Sequence, residues 1–322
     1  MKKNLIRRIY KDLIVKFFFL IHGKVVNTKY NFETIIIKNV DKIDNSIVKK
    51  FNYKIFKIKN GRVFTNYVES LAIISKKSLV KEVSYQQIRG KIYKSKNQVI
   101  KTGTPKFLKK VSGKIMILSQ GVTGHFNYAH WLFDIVPKIK ILSTKYDISD
   151  INFFYFSKLK KFQVDTLKFF KINPNKIIDS NKLRHVIATE LYAVTHPNYF
   201  KDTVYRAHSN LPIWIITYLR KFFLNKIKKK FNYDNIYIDR SDSTQNHCKP
   251  INNQYVIRLL KEKNFKILKL SKLSISDQVS IFNNCKKVVA PHGAGLANLA
   301  FCKKNTKVIE FNTNKNKNNK VY

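Results

Sequence analysis

The chain has 322 residues, enough for two ordinary domains or one large one, and its 44% hydrophobic content excludes wholesale disorder. Against 63 lysines and arginines stand only 19 acidic residues, a formal charge of +44 that would attract nucleic acid, anionic lipid or phosphorylated small molecules. Three widely spaced cysteines, Cys248, Cys285 and Cys302, with no C-x-x-C pair, exclude a disulfide framework or a zinc site and suit a reducing compartment.

Residues 1–30 form a basic N-terminal segment containing the apolar run 17–21. Asp12 and Lys16 interrupt the apolar character, so no stretch reaches the ~20 residues of a spanning helix. It has no small-residue cleavage site either, and secretion is not expected. An ordinary basic helix is the favoured reading. The alternative is an interfacial helix in peripheral contact with anionic membrane, which would place a cytoplasmic protein at the membrane's inner face.

Residues 31–205 read as an N-terminal α/β domain. Short β-like runs at 34–37, 63–67, 71–74 and 115–118 are punctuated by Gly61, Gly103-Thr104-Pro105 and Gly113. Residues 127–142 then place Tyr128, Trp131, Leu132, Ile135, Val136, Ile139 and Leu142 at helical spacing, which makes one apolar face. Asn127, His130 and Asp134 fall at i, i+3 and i+7 on a second stripe. From spacing alone, His130 and Asp134 read as a surface ion pair. Pro137 removes one backbone hydrogen bond and should kink the helix. Strands are expected at 153–156, 176–178 and 186–194, with a helix at 162–170. Pro212 opens a basic helix over 213–230 with Trp214 and Leu219 inward, and segment 206–233 reads as a connection between domains.

The second domain, 234–311, alternates strand and helix. Strands are expected at 236–239, 265–270 and 288–290. A helix at 252–263 should turn Val256, Leu259 and Leu260 inward. A second helix, opened by Ser274-Ile275-Ser276-Asp277, should turn Ile275, Val279 and Phe282 inward. Such a series implies a parallel sheet with right-handed crossovers. Pro291-His292-Gly293-Ala294-Gly295 breaks the third strand, and a helix at 296–301 and a strand at 307–311 follow. Strand, glycine turn, helix and strand bring backbone N–H groups and a positive helix end to a crevice. Gly293 and Gly295 let the backbone approach an anion, and His292 adds a donor at the strand's C-terminal edge. The tail, 312–322, is low in complexity and expected to be disordered.

The string His292-Gly293-Ala294-Gly295-Leu296-x-Asn298-Leu299-x-Phe301, closed by Val308-Ile309-Glu310, resembles the signature of the family 61 glycosyltransferases. Upstream, Asn127-Tyr128-x-His130-Trp131-Leu132-x-Asp134 is similar to that family's N-terminal-domain motif. The family includes bacterial capsule-type transferases, plant xylan xylosyl- and arabinosyltransferases and animal O-linked N-acetylglucosamine transferases. The resemblance covers roughly residues 115–311. It implies a GT-B-like α/β fold, two Rossmann-like halves facing a central cleft. It also implies inverting transfer of a hexose or pentose from a nucleotide sugar, expected to be UDP-linked, to a hydroxyl of a polysaccharide or glycoconjugate. No D-x-D motif stands in a convincing place, and Asp239 with Ser241-Asp242-Ser243 lacks the paired carboxylates that a diphosphate-bound Mg²⁺ wants. No metal is therefore expected, and no cofactor beyond the donor.

On this resemblance the leaving diphosphate falls to His292, Gly293, Ala294 and Gly295, with Arg240 at the end of its strand. A guanidinium matches phosphate oxygens bidentately. Where the family usually has a second arginine, this chain has Asn246-His247, and its Asn-Glu pair is here Asn252-Asn253. His247 or a nearby lysine would then substitute. Glu310 could accept from a ribose hydroxyl, and Asn298 would hold the glycine turn. Asp134 is the first choice as base and His130 the second, with Asn127 and Trp131 in support. The chain ends soon after Glu310, where family members continue, so an inactive sugar-nucleotide-binding homologue is one alternative. A basic nucleic-acid-binding protein is another, and it would gather its cations on one face with aromatics interleaved. Here the lysines are dispersed among Asn, Ile, Phe and Tyr, the mixture an A/T-rich coding sequence produces. The charge therefore reads mostly as background.

Overall fold

The computed structural model describes residues 2–27, 33–37, 53–66, 70–88, 91–93, 97–120, 126–198, 211–228, 231–243 and 248–312. Helix α1 (Lys2–His22) leads into strands β1 (Glu33–Ile37), β2 (Tyr53–Lys59), β3 (Arg62–Phe64), β4 (Ala72–Ser75) and β5 (Ser78–Leu79). A two-stranded ribbon, β6 (Gln86–Ile88) and β7 (Lys91–Tyr93), and the short helix α2 (Val99–Thr102) come next. Strand β8 (Lys109–Ile117) is followed by helix α3 (Tyr128–His130), a π turn (Trp131–Ile135) and helix α4 (Val136–Leu142). Then come β9 (Phe153–Phe156), α5 (Lys161–Phe169), β10 (Ile177–Asp179) and β11 (His185–Val194).

Nine of these strands form one sheet. Strands β10, β9, β8 and β11 run parallel in that order, and the far side of β11 pairs antiparallel with β2 and β3. Strand alternation sorts the side chains by face. Met116, Leu118, Phe154, Phe156, Tyr192 and Val194 enter the larger core, while Ile115, Ile117, Tyr155, Leu191 and Ala193 enter a second one. The first half is thus an α/β layer of four parallel strands extended by antiparallel ones. That extension differs from the expected Rossmann-like half, and β2 was not foreseen because lysines separate its apolar residues.

The second half holds helix α6 (Ile213–Leu224), β12 (Asn235–Ile238), α7 (Asn253–Glu262), β13 (Lys266–Leu268), α8 (Ile275–Asn284), β14 (Lys287–Pro291), a 3-10 helix (Ala294–Phe301) and β15 (Lys307–Phe311). Its four strands are all parallel, in the order β13-β12-β14-β15. Helix α7 covers the face that carries Tyr237 and Val289. The face of Ile236, Ile238, Val288 and Ala290 is covered by α8 and the 3-10 helix. Helices on opposite faces are what right-handed crossovers require when the strand order reverses, as it does between β12 and β14. Such a reversal opens a crevice at the strands' C-terminal ends.

One apolar core runs beneath both sheets. Leu132 from the first half joins Trp214, Leu219 and Phe223 of α6 and Val279, Leu296 and Phe301 from the rest of the second half. Trp214 and Leu219 face inward as expected, at 2% and 0% exposure. The α6 helix stops at Leu224, before the lysine cluster, whose residues 229 and 230 lie outside the described residues. Leu259 points outward, because the buried stripe of α7 runs through Val256, Ile257 and Leu260 instead. Beyond Asn312 the tail lies outside the described residues.

Candidate functional site

Asn127 starts the first motif as an N-cap, its Oδ1 accepting from the backbone N–H of Ala129 and His130 at 2.9 and 3.2 Å. Trp131 is fully buried against the rings of Phe156 and Phe162, so it packs the helix onto the sheet. Seven residues after the cap, Asp134 lies within the π turn and is 1% exposed, so its pairing with His130 is no surface contact. Pro137, which has no N–H to give to the carbonyl of Phe133 four residues back, accounts for the irregularity. The side chain of Asn198 donates to Phe133 O at 3.3 Å, and it donates to Asp134 Oδ1 as well.

Around this carboxylate the sheet's C-terminal edge gathers polar groups. His130 Nδ1 lies 2.6 Å from Asp134 Oδ2, Gln120 Nε2 donates to the same oxygen at 3.4 Å, and His196 Nε2 stands 3.9 Å away. Lys138, also buried, donates to the carbonyls of Leu118 and Ser119 at 3.3 and 3.1 Å. Burial pulls the Lys138 ammonium down to about 7 against the upward pull of Asp134. Burial likewise pushes His196 down to about 3, so its imidazole is neutral, with Asp134 opposing the shift. The Nδ1 of His196 lies 3.1 Å from both the backbone N–H and the carbonyl of Asn198, which together orient the ring with Nε2 toward Asp134. Asp134 fixes the proton of His130 on Nδ1 and the lone pair on Nε2.

The second motif sits at the crevice of the four-stranded sheet. His292 extends the β14–β15 pairing by donating its N–H to Phe311 O at 2.8 Å. Its Nδ1 lies 2.6 Å from Glu310 Oε1, so Glu310 orients the imidazole. Arg240 leaves the end of β12 and donates through Nη1 to the carbonyl of His292. Gly293 follows, and a Cβ there would overlap that guanidinium, which explains the glycine. A Cβ on Gly295 would press on Leu270 Cδ1 at 2.8 Å. Ala294 contributes backbone as the first residue of the 3-10 helix. Asn298, fully buried, donates to Gly295 O at 3.1 Å and to Gln278 Oε1 at 3.0 Å, and so holds the glycine turn as expected.

Beside this turn, Asp239 is buried, yet its carboxyl is held below the usual range. The upward push of burial is outweighed by hydrogen bonds from Ser241 and Asn253 and by the Lys269 charge. Asn253 donates Nδ2 to Asp239 Oδ1 at 3.0 Å, a bond an ionised glutamate could not make. Asn246 and His247 lie outside the described residues.

The two motifs meet through one side chain that the sequence reading assigned only to the apolar face. Tyr128 OH donates to Asn298 Oδ1 at 2.8 Å, tying the helix of His130 to the glycine turn. The helix also packs directly on the 3-10 helix. Gln120, Lys138, His196 and Asn198 were likewise missed. The available signal was His196-Pro197-Asn198, a polar triplet just past a strand end. Two surface hollows of about 510 and 190 Å³ lie around the turns that enter β9 and β10. Those are strand starts, whereas ligands in open α/β sheets bind at strand ends.

Residues 128–309 match the family model described as Glycosyltransferase 61. No curated protein matches the chain. The matched region covers more than half of the sequence, beginning one residue after the Asn127 cap and closing one residue before Glu310. The chain belongs to glycosyltransferase family 61, a family of enzymes that move a sugar from a donor to a glycan acceptor.

Proposed function

We propose that the protein is an inverting, metal-independent transferase. It moves a hexose or pentose from a nucleoside diphosphate sugar to a hydroxyl of a polysaccharide or glycoconjugate. The cleft between the two α/β halves, GT-B in type, holds the donor on the side of His292 and Arg240 and the acceptor on the side of His130. The choice of uridine as the base and of the cytoplasm as the location rests on the resemblance and the cysteine usage.

In this reading the acceptor oxygen attacks the anomeric carbon from the face opposite the diphosphate. Its proton passes to His130 Nε2 as the bond from the anomeric carbon to the diphosphate oxygen breaks. Asp134, too buried to reach an acceptor, holds the imidazole in the right tautomer and stabilises its cation. This reverses the order in which the two were ranked from sequence. Arg240, His292 and the N–H groups of the glycine turn meet the charge developing on the leaving diphosphate, so that no divalent cation is called on. Glu310 orients His292 through Oε1.

The observation that supports this most is the Tyr128–Asn298 hydrogen bond, which joins the helix of the base to the turn of the diphosphate. A panel of nucleotide sugars, screened by thermal shift and then by turnover, tests it with two variants. His292→Ala should weaken donor binding by about tenfold or more, the worth of a hydrogen bond to a charged group. His130→Ala should leave donor binding intact and lower turnover by about 10²–10⁴-fold. Normal turnover in His130→Ala removes that residue as the base. Unchanged affinity in His292→Ala removes the donor site. Donor binding without turnover in the parent chain identifies an inactive homologue, and steeply salt-dependent oligonucleotide binding alone identifies a nucleic-acid binder.

A further inference from the structure

Among the described residues, helix α1 is held to the body by its last turns. Phe18 is buried against Phe107, and His22 Nε2 meets Lys106 O at 3.1 Å with its ring 4.9 Å from that of His185. Gly103 allows the ring of Phe19 to approach, and Gly23, with a φ of 71°, ends the helix. Residues 6–13, by contrast, are exposed on every side. The helix therefore stands out from the body as an arm.

That arm carries an uncovered apolar stripe. Ile6, Ile9, Tyr10, Leu13, Phe17, Leu20 and Ile21 are each between 50% and 87% exposed. At 3.6 residues per turn they fall within an arc of about 120°. Phe18, which faces the body, lies outside that arc. Arg7, Arg8, Lys11 and Lys16 occupy the rest of the circumference, with Asp12 the one acidic residue in the helix. No described helix is long and apolar enough to cross a membrane.

We infer that α1 is a membrane-surface arm, lying in the plane of an anionic bilayer with its stripe among the lipid headgroups and acyl boundary. Basic residues around an apolar face over about four turns are the pattern of an interfacial helix. Charge decides against the obvious rival, a second copy of the chain. Each copy carries +44, so self-association along this arm would bring like charges together, whereas an anionic surface is drawn in.

Sedimentation of the full chain with lipid vesicles tests the inference. The parent should pellet with vesicles containing phosphatidylserine and far less with phosphatidylcholine alone. A double variant, Ile9→Asp with Leu13→Asp, should lose at least about tenfold in vesicle affinity, because two large apolar side chains no longer leave water. Both positions are exposed and clear of the docked turns, so the thermal midpoint should not move. Tyr10→Trp should show a blue-shifted fluorescence on the anionic vesicles. Undiminished pelleting of the double variant would overturn the inference, since the charge of the body alone would then hold the protein. Conversion of a dimer to a monomer by the double variant, with vesicle binding unchanged, would overturn it in favour of a second copy.

Discussion

The pairs His130–Asp134 and His292–Glu310 have the same length, 2.6 Å, and both stand at the C-terminal edge of a parallel array of strands. Their surroundings differ. The Asp134 side chain is 1% exposed and ringed by Gln120, Asn198, His196 and Lys138, whereas the Glu310 side chain is 27% exposed with Arg240 near its histidine. Coulombic attraction grows as water is excluded, so the inner carboxylate can stabilise an imidazolium that the outer one would share with solvent. On the proposed function, one side-chain motif would serve as proton acceptor in one half and as an orienter of a phosphate-facing donor in the other, with burial making the difference.

Breaking the inner pair should have the largest effect. Asp134→Asn leaves the tautomer of His130 unfixed and deprives Lys138 of its counter-charge. Turnover should fall by about 10²–10⁴-fold while donor affinity, measured by calorimetry, stays near that of the parent. The outer pair should matter less. Glu310→Gln removes an interaction that water partly screens, so donor affinity should drop by no more than about fivefold. If the two variants lose turnover equally, burial does not distinguish the pairs.

The smallest effect sharpens the comparison through pH. His196 has a folded value of about 3 against an ordinary 6.5, so between those limits the unfolded chain takes up a proton that the folded one refuses. Stability should therefore fall as the pH drops below 6.5. His196→Gln, which does not titrate, should flatten the dependence of the thermal midpoint on pH. The slope should not vanish, because burial also pushes His185 down to about 4.

The residues that could be read from sequence were those whose neighbours are local. Asn127 caps its own helix, His130 and Asp134 are one turn apart, and Arg240 and His292 close adjacent strands. Alternation and helical spacing likewise gave the parallel second sheet and the inward faces of α6 and α8. What escaped depends on contacts distant in the chain. Asn198 matters because its side chain donates to the Phe133 carbonyl and to Asp134, and those residues meet only when β11 lies beside β8. Lys138 resembled another surface lysine until the fold closed over it. The missed β2 and the misplaced Leu259 show the reverse, local patterns blurred by lysines or by an extra leucine one position off the stripe.

The apolar layer shared by the two sheets carries a consequence for how substrates enter. Swinging the halves apart would part α3 from the 3-10 helix and α5 from α8, and would separate the ring of Phe169 from that of Phe223. Each large apolar side chain bared to water in this way would lose about 1.5–3 kcal/mol, and together they would consume much of a typical domain's stability. On the proposed function, loading and release would then be movements of surface segments around this shared core, so that turnover should respond to changes in those segments and be indifferent to agents that merely stiffen the core.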